Sequence, residues 1–167
     1  GKQNTQENRE ALTYVLNGRS ASYPLDDATS VVGGTAEGRL IGGIIWLIDA
    51  LYGTPYLPDL NGKILLIEDC DFELNYFNRQ LTSWRQRGIF NGIQGVVFGS
   101  FSDAKDSGRP FGFDVDAIID RHMADMNIPV VRGSPFGHDT RNLAWPFGAH
   151  ARLESGQAQC TMTFHSR

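Results

Sequence analysis

The heptapeptide Lys63-Ile64-Leu65-Leu66-Ile67-Glu68-Asp69 sets four apolar residues in succession before two acids. A strand with one wet face alternates apolar and polar residues, so an unbroken apolar run predicts a strand covered on both faces. A chain that holds such a strand has to lay material on each side of a sheet. The periodicities downstream supply it. Leu74, Phe77, Leu81 and Trp84 recur at helical spacing as far as Gly88 and predict a helix over 73–87. Gln94 to Gly99 reads as the next strand, Val115, Ile118, Ile119, Met123 and Met126 mark another helix, and Ile128 to Val131 a further strand. The order strand, helix, strand, helix, strand from 63 to 131 is that of right-handed crossovers and a largely parallel sheet, the α/β class. A length of 167 residues suits one domain with a sizeable core.

Around this centre the signals are mixed. The first eight residues, GKQNTQEN, are polar and predict no element, and EALTYVLN at 10–17 predicts a short helix stopped by Gly18. Arg19 to Gly34 reads as a connector with one strand pairing. From Glu37 to Tyr52, Leu40, Ile41, Ile44, Ile45, Leu47, Ile48 and Leu51 fall at three- and four-residue intervals, which predicts a helix whose apolar face serves the core or an interface. Gly38, Gly42 and Gly43 would each weaken an isolated helix by about 1 kcal/mol, so close packing has to hold it. GTPYLPDLNG at 53–62 is turn-rich, and residues 149–154 and 157–164 flank Ser155-Gly156 as a β-hairpin. The class is therefore α/β with an antiparallel addition, without internal repeat.

Charge and cysteines narrow the function. A formal net charge of -4, with no cluster of lysine or arginine, argues against nucleic acid as a partner. Cys70 and Cys160 show no metal-ligand or disulfide spacing, which predicts a reducing, cytoplasmic setting. No apolar stretch reaches the roughly 20 residues of a membrane helix, so no membrane partner is expected. The start at Gly1, without methionine, reads as a cut from a longer protein.

In open α/β sheets ligands gather beyond the carboxyl ends of the strands. Here one strand ends in Glu68-Asp69, the next runs into Ser100, Ser102 and Asp103, and the third leads to His138 within SPFGHDTRN at 134–142. A histidine acting as general base needs its ring held by a partner, and Glu68 can orient His138 in that way. Asp69 and Asp71 read as ordinary acids before a helix N-terminus, and His122, His150 and His165 as structural or surface residues. A nucleophile is missing. The chain has no G-x-S-x-G elbow, and Gly99-Ser100-Phe101-Ser102-Asp103 is not followed directly by a helix.

Three ordered stretches, GGTAEGRLIGG at 33–43, YGTPYLPDLNGKILLIEDC at 52–70 and IPVVRGSPFGHDTRNLAWPFGAHARL at 128–153, resemble the C-terminal half of the serine LD-carboxypeptidase family. That family includes the muramoyl-tetrapeptide carboxypeptidases and the microcin C self-immunity proteins. The resemblance implies a C-terminal domain of the swivelling β/β/α type over 33–167, preceded by an interdomain helix and linker over 1–32. It also implies an N-terminal domain, absent here, that carries the serine nucleophile. Glu68 matches the glutamate of the family's L-E-D strand end and His138 the histidine of its G-x-P-x-G-H loop, whereas no residue matches the serine. The implied reaction is hydrolysis of the amide to a terminal D-alanine in cytoplasmic muropeptides during peptidoglycan recycling, by a Ser-His-Glu triad without metal or cofactor. This chain alone would then be inactive, its partners being the nucleophile domain, the muropeptide and, as in many relatives, a second copy in a homodimer. One departure is Ile44-Ile45, where many relatives have asparagine and leucine after the paired glycines.

Other readings stay open on the sequence. Glu68, Asp69, Asp71, Asp103 and His138 are residue types that hold divalent metals, although they fit no familiar ligand spacing. A non-catalytic binding domain on the same scaffold is a second alternative, one with no need of a glutamate–histidine pair. A peptidyl or aminoacyl adenylate is the alternative substrate, and a nucleobase would want an exposed aromatic. Trp46 and Trp84 are expected in the core, which leaves Trp145, in the loop after His138. A D-amino-acid carboxylate calls for a cation. Arg79, Arg132 and Arg141 lie nearest the motifs, and a surface ion pair worth about 0–1 kcal/mol is the ordinary use of each.

Overall fold

The computed structural model of the chain describes residues 5–106 and 108–165. Its elements are α1 (Gln6–Leu16), β1 (Ala21–Pro24), β2 (Thr29–Val32), β3 (Gly34–Ile44), α2 (Ile45–Leu51), β4 (Lys63–Cys70), α3 (Leu74–Gln86), β5 (Gly95–Ser102), α4 (Val115–Met123), β6 (Val130–Arg132), β7 (His150–Ser155) and β8 (Cys160–Phe164). The strands form one sheet in the order β1-β8-β7-β3-β4-β5-β6-β2. Pairing is parallel from β3 through β4 and β5 to β6. It is antiparallel at β3–β7, β7–β8, β8–β1 and β6–β2. The α/β class with its parallel core and C-terminal hairpin is thus present.

The two edge strands, β1 and β2, are joined by residues 25–28 alone. A connection that short forces the sheet to curl almost into a barrel. The curl brings Ser30 Oγ of β2 to 2.7 Å from Ser155 Oγ of β7. Inside lie Leu40, Ile64, Leu66, Val97, Val131, Leu153, Met162 and Phe164. Outside, the helices cover Leu65, Ile67, Val96, Phe98 and Val130 with Phe77, Leu81, Trp84, Ile118 and Met123. Ile64 to Ile67 of β4 alternate between these two cores and are all 0 % exposed. The uninterrupted apolar run has this physical cause.

The structure corrects the expectation for 37–52. The segment is strand β3 up to Ile44, and only Ile45–Leu51 is helical. Ala36, Gly38 and Leu40 are buried in alternation with exposed Glu37 and Arg39, the period of a strand. The glycines serve close approach of neighbouring backbone: a Cβ on Gly38 would lie 2.6 Å from the Gly62 carbonyl oxygen, and one on Gly42 1.8 Å from that of Leu66. Apolar residues of two consecutive elements together imitate helical spacing. The connector 19–34 holds two strands rather than one. Of the polar start, residues 1–4 lie outside the described residues. Beyond them α1 begins at Gln6, with the Thr5 side chain accepting from the Asn8 N–H as an N-cap.

Tyr23 of β1 anchors α1 and the loop after β6 to the barrel. Its hydroxyl donates to the Ala144 carbonyl at 3.0 Å and lies 3.4 Å from that of Ala11. Burial pushes its phenol up to about 12. The unfolded chain releases this proton near pH 10 and the folded one later, so stability is expected to fall as pH rises between those values. Tyr23→Phe should cost about 1 kcal/mol at neutral pH and weaken that alkaline fall, measured by urea denaturation across pH.

Candidate active site

At the carboxyl end of β4 the side chains keep alternating, so Glu68 points to the barrel interior with Ile64 and Leu66, and Asp69 to the helix side with Leu65 and Ile67. Pairing with β5 slips here. Ile67 opposes Phe98 and Asp69 opposes Phe101, which leaves Glu68 facing both Gly99 and Ser100. Such a β-bulge re-aims side chains.

The loop after β6 lies over this bulge. The Ser134 N–H donates to the Phe98 carbonyl at 3.0 Å, and the Ser100 N–H donates to that of Phe136 at 2.6 Å. A Cβ on Gly99 would come within 2.2 Å of the Phe136 oxygen, so glycine is what admits the loop. Gly137, at φ +119°, presses against the carboxylate: a Cβ there would stand 2.8 Å from Glu68 Oε2 and 2.5 Å from Ser100 Oγ. The next residue is His138, whose Nδ1 is 2.8 Å from Glu68 Oε2. The Glu68 side chain is 5 % exposed and that of His138 47 %. An ionised carboxylate only accepts hydrogen bonds, so Nδ1 carries the proton and Nε2 is left as the accepting nitrogen of a half-exposed ring.

Several contacts fix the loop. The Gly137 N–H donates to Asn142 Oδ1 at 3.2 Å, the Asn142 N–H to Asn8 Oδ1 at 3.1 Å, and Asn8 Nδ2 to the Thr140 carbonyl at 3.0 Å. Asn8 belongs to α1 and is buried. Trp145 plugs the barrel mouth at 8 % exposure, edge-on to Tyr23 and Phe164, with Nε1 3.3 Å from the Pro135 carbonyl. It is a core residue and not the open pocket residue allowed by the sequence.

The structure brings together Glu68 and His138 from distant stretches, sets Ser100 beside the acid, and ties several of the other candidates elsewhere. Asp71 pairs with Lys105 at the surface. Arg132 pairs with Asp116 and Asp120, and Arg141 with Glu7 and Asp27. His122 meets Asn78, while His150 and His165 lie against one another. Ser100, Ser102 and Ser134 have buried hydroxyl oxygens without a partner, so none of the three is bonded to His138. Burial and the nearby carboxylates of Glu68, Asp69, Asp71 and Asp103 push the Cys70 thiol up, which keeps it protonated and a poor nucleophile. Among the described residues, no three His, Cys, Asp or Glu side chains gather as a metal site.

Asp69 differs from its reading as a helix-capping acid: it lies within β4 and accepts from the Cys70 N–H at 2.9 Å. Burial pushes its carboxyl above the ordinary range, the Cys70 N–H pulls it back, and the Glu68 charge adds to the rise. A carboxyl raised in the folded state costs stability as pH climbs through the carboxylate range, and the cost persists at neutral pH. Asp69→Asn is therefore expected to raise the urea midpoint at about pH 7 and to leave it unchanged near pH 3.

Beside Asp69, on the helix side of β4, is a cavity of about 680 Å³ that Trp46, Phe72, Tyr76, Arg79 and Lys105 help to line. Trp46 is 64 % exposed, which corrects its expected place in the core, whereas Trp84 is fully buried as expected. Trp46 is the first outward position of α2, and the strand–helix boundary missed by periodicity explains the error. Arg79 stacks over the Tyr76 ring at 4.3 Å.

Comparison with known proteins adds a family. Residues 37–153 match the model of the LD-carboxypeptidase C-terminal domain. The chain is 29 % identical over 133 residues to a protein of Bacillus subtilis (strain 168) named "probable murein peptide carboxypeptidase", covering 80 % of this chain and 42 % of that one. The muramoyltetrapeptide carboxypeptidase of Oxalobacter formigenes superposes with a TM-score of 0.85 at 27 % identity, over 97 % of this chain and 56 % of that one. The fold is shared with MccF in complex with glutamyl sulfamoyl guanosine, at a TM-score of 0.73 and 20 % identity, over 85 % of this chain and 42 % of that one. The chain spans less than half the length of the curated relatives it matches.

Proposed function

This chain belongs to the LD-carboxypeptidase C-terminal domain family, and from that we infer that it supplies the base and its orienting acid to a serine carboxypeptidase. The observation that carries the reading is the 2.8 Å contact between His138 Nδ1 and Glu68 Oε2. In this reading an N-terminal domain of the same protein brings a serine to the Nε2 side of His138. Nε2 takes the serine proton as the hydroxyl attacks the carbonyl of the amide to a terminal D-alanine, and then gives it to the leaving amine. Glu68 holds the ring in one tautomer and stabilises the imidazolium that forms at each transfer. Water then opens the acyl-enzyme by the same base, without metal. Turnover of cytoplasmic muropeptides in peptidoglycan recycling is the setting this chemistry suits.

The exposed Trp46 and Tyr76 at the cavity beside Asp69 favour a second substrate class, peptidyl or aminoacyl adenylates, because a nucleobase can stack on such rings. The test is to offer the full-length protein a muropeptide ending in an L,D-linked D-alanine and, separately, an aminoacyl adenylate analogue with a hydrolysable amide. Release of D-alanine, insensitive to chelator and blocked by a serine-directed reagent, is the expected result. Turnover of the adenylate alone would transfer the reading to the second class, and dependence on added metal would remove both.

A further inference from the structure

We propose that Ser100 is a positioning residue for Glu68, its hydroxyl donating to the carboxylate and holding Oε2 on line with His138 Nδ1. The inference rests on the reading of Glu68 and His138 given above.

Three observations converge on it. First, the bulge in β5 is what turns Ser100 toward the acid. Phe98 and Phe101 both belong to the helix-side core, although residues three apart in a regular strand face opposite ways. The extra residue absorbed between them lets Gly99 and Ser100 share the side of the sheet from which Glu68 projects. Second, Ser100 Oγ and Glu68 Oε2 border one point, since a Cβ added to Gly137 would touch them at 2.5 and 2.8 Å. Third, Ser100 Oγ is buried and has no hydrogen-bond partner. A buried hydroxyl without a partner is costly, and a buried carboxylate is stabilised by each further donor it gains. The Ser100 backbone is pinned by its N–H bond to Phe136, so rotation about the Cα–Cβ and Cβ–Oγ bonds is what can aim this hydroxyl. Turned toward Glu68, it satisfies both groups.

The bond would matter most during proton transfer. When His138 becomes an imidazolium, Glu68 is drawn toward it, and a second donor opposes drift of the carboxylate out of the ring plane. Substrate binding, which involves neither oxygen, should be little affected.

The experiment compares Ser100→Ala and Ser100→Cys with the wild type in the full-length protein. Cysteine nearly keeps the volume of serine but is a weak donor, so it is the variant to read if alanine lowers the melting temperature. Both should lower kcat about tenfold, the scale of one lost hydrogen bond, while KM stays within about twofold. Both should also displace or broaden the downfield proton resonance of His138 Nδ1, followed with ¹⁵N-labelled histidine, a signal that a purely structural serine would leave alone. Wild-type kcat and an unmoved resonance in Ser100→Cys would overturn the proposal while leaving the Glu68–His138 reading intact. Full activity in Glu68→Gln would overturn that reading and this proposal with it.

Discussion

Replacing His138 by alanine is expected to lower kcat of the full-length protein by roughly 10⁴-fold or more, with KM changed little. The neighbouring hydroxyls and thiol are poor substitutes for the ring. The hydroxyls of Ser102 and Ser134 have no partner through which to move a proton, and the Cys70 thiol is held protonated. Glu68→Gln should fall by about 10³ to 10⁴-fold. Glutamine can present its NH₂ to Nδ1 and stabilise the wrong tautomer, and it carries no charge to balance an imidazolium. Because the His138 ring is half exposed, its removal should cost only about 1–3 kcal/mol of stability, from the acceptor it leaves unpaired. D-alanine release under saturating substrate, with a urea melt of each variant, checks the pair. Activity within tenfold of wild type in either would remove the assignment.

Gly42→Ala is expected to be the most destabilising single change in the barrel, by about 4 kcal/mol or more. The added carbon would lie 1.8 Å from the Leu66 carbonyl oxygen, 2.6 Å from its carbon and 2.9 Å from its Cα. All three are backbone atoms of a strand buried on both faces, so they cannot step aside as a flexible side chain would. Gly42 pairs with Leu66 two residues before Ile44 pairs with Glu68, so opening the ladder there would also displace the acid. Gly43→Ala is the control. Its Cβ would meet nothing within 4 Å, and the positive φ of 143° is the only strain, worth about 1–3 kcal/mol. Urea midpoints that rank the two variants equally would show that φ, and not the contact with Leu66, sets the cost.

The contrast between β4 and β3 explains how much could be read beforehand. In β4 four consecutive apolar residues, too few for a helix and bounded by a turn-rich stretch and two acids, read as a buried strand, and the strand, the helix after it and the next strand all stand near their expected bounds. In β3 the pattern was ambiguous because Leu40 and Ile41 belong to a strand while Leu47 and Leu51 belong to a helix, and their spacing runs across the junction at Ile44. The three glycines carried the missing information, since a helix has no use for three of them within six residues. The acid and the histidine were legible because strand ends are where side chains converge. What holds them was not. Asn8 lies 134 residues from Asn142 in sequence, and the bulge that turns Ser100 exists only in the pairing of two strands.

Asn8 makes α1 a lever on the imidazole. Through one amide group it grips Thr140 and Asn142, immediately beyond His138, while Arg141 between them is tied to Glu7 of the same helix. A tilt of α1 would therefore shift the ring's approach angle, and through the Tyr23 hydroxyl it would also pull on β1.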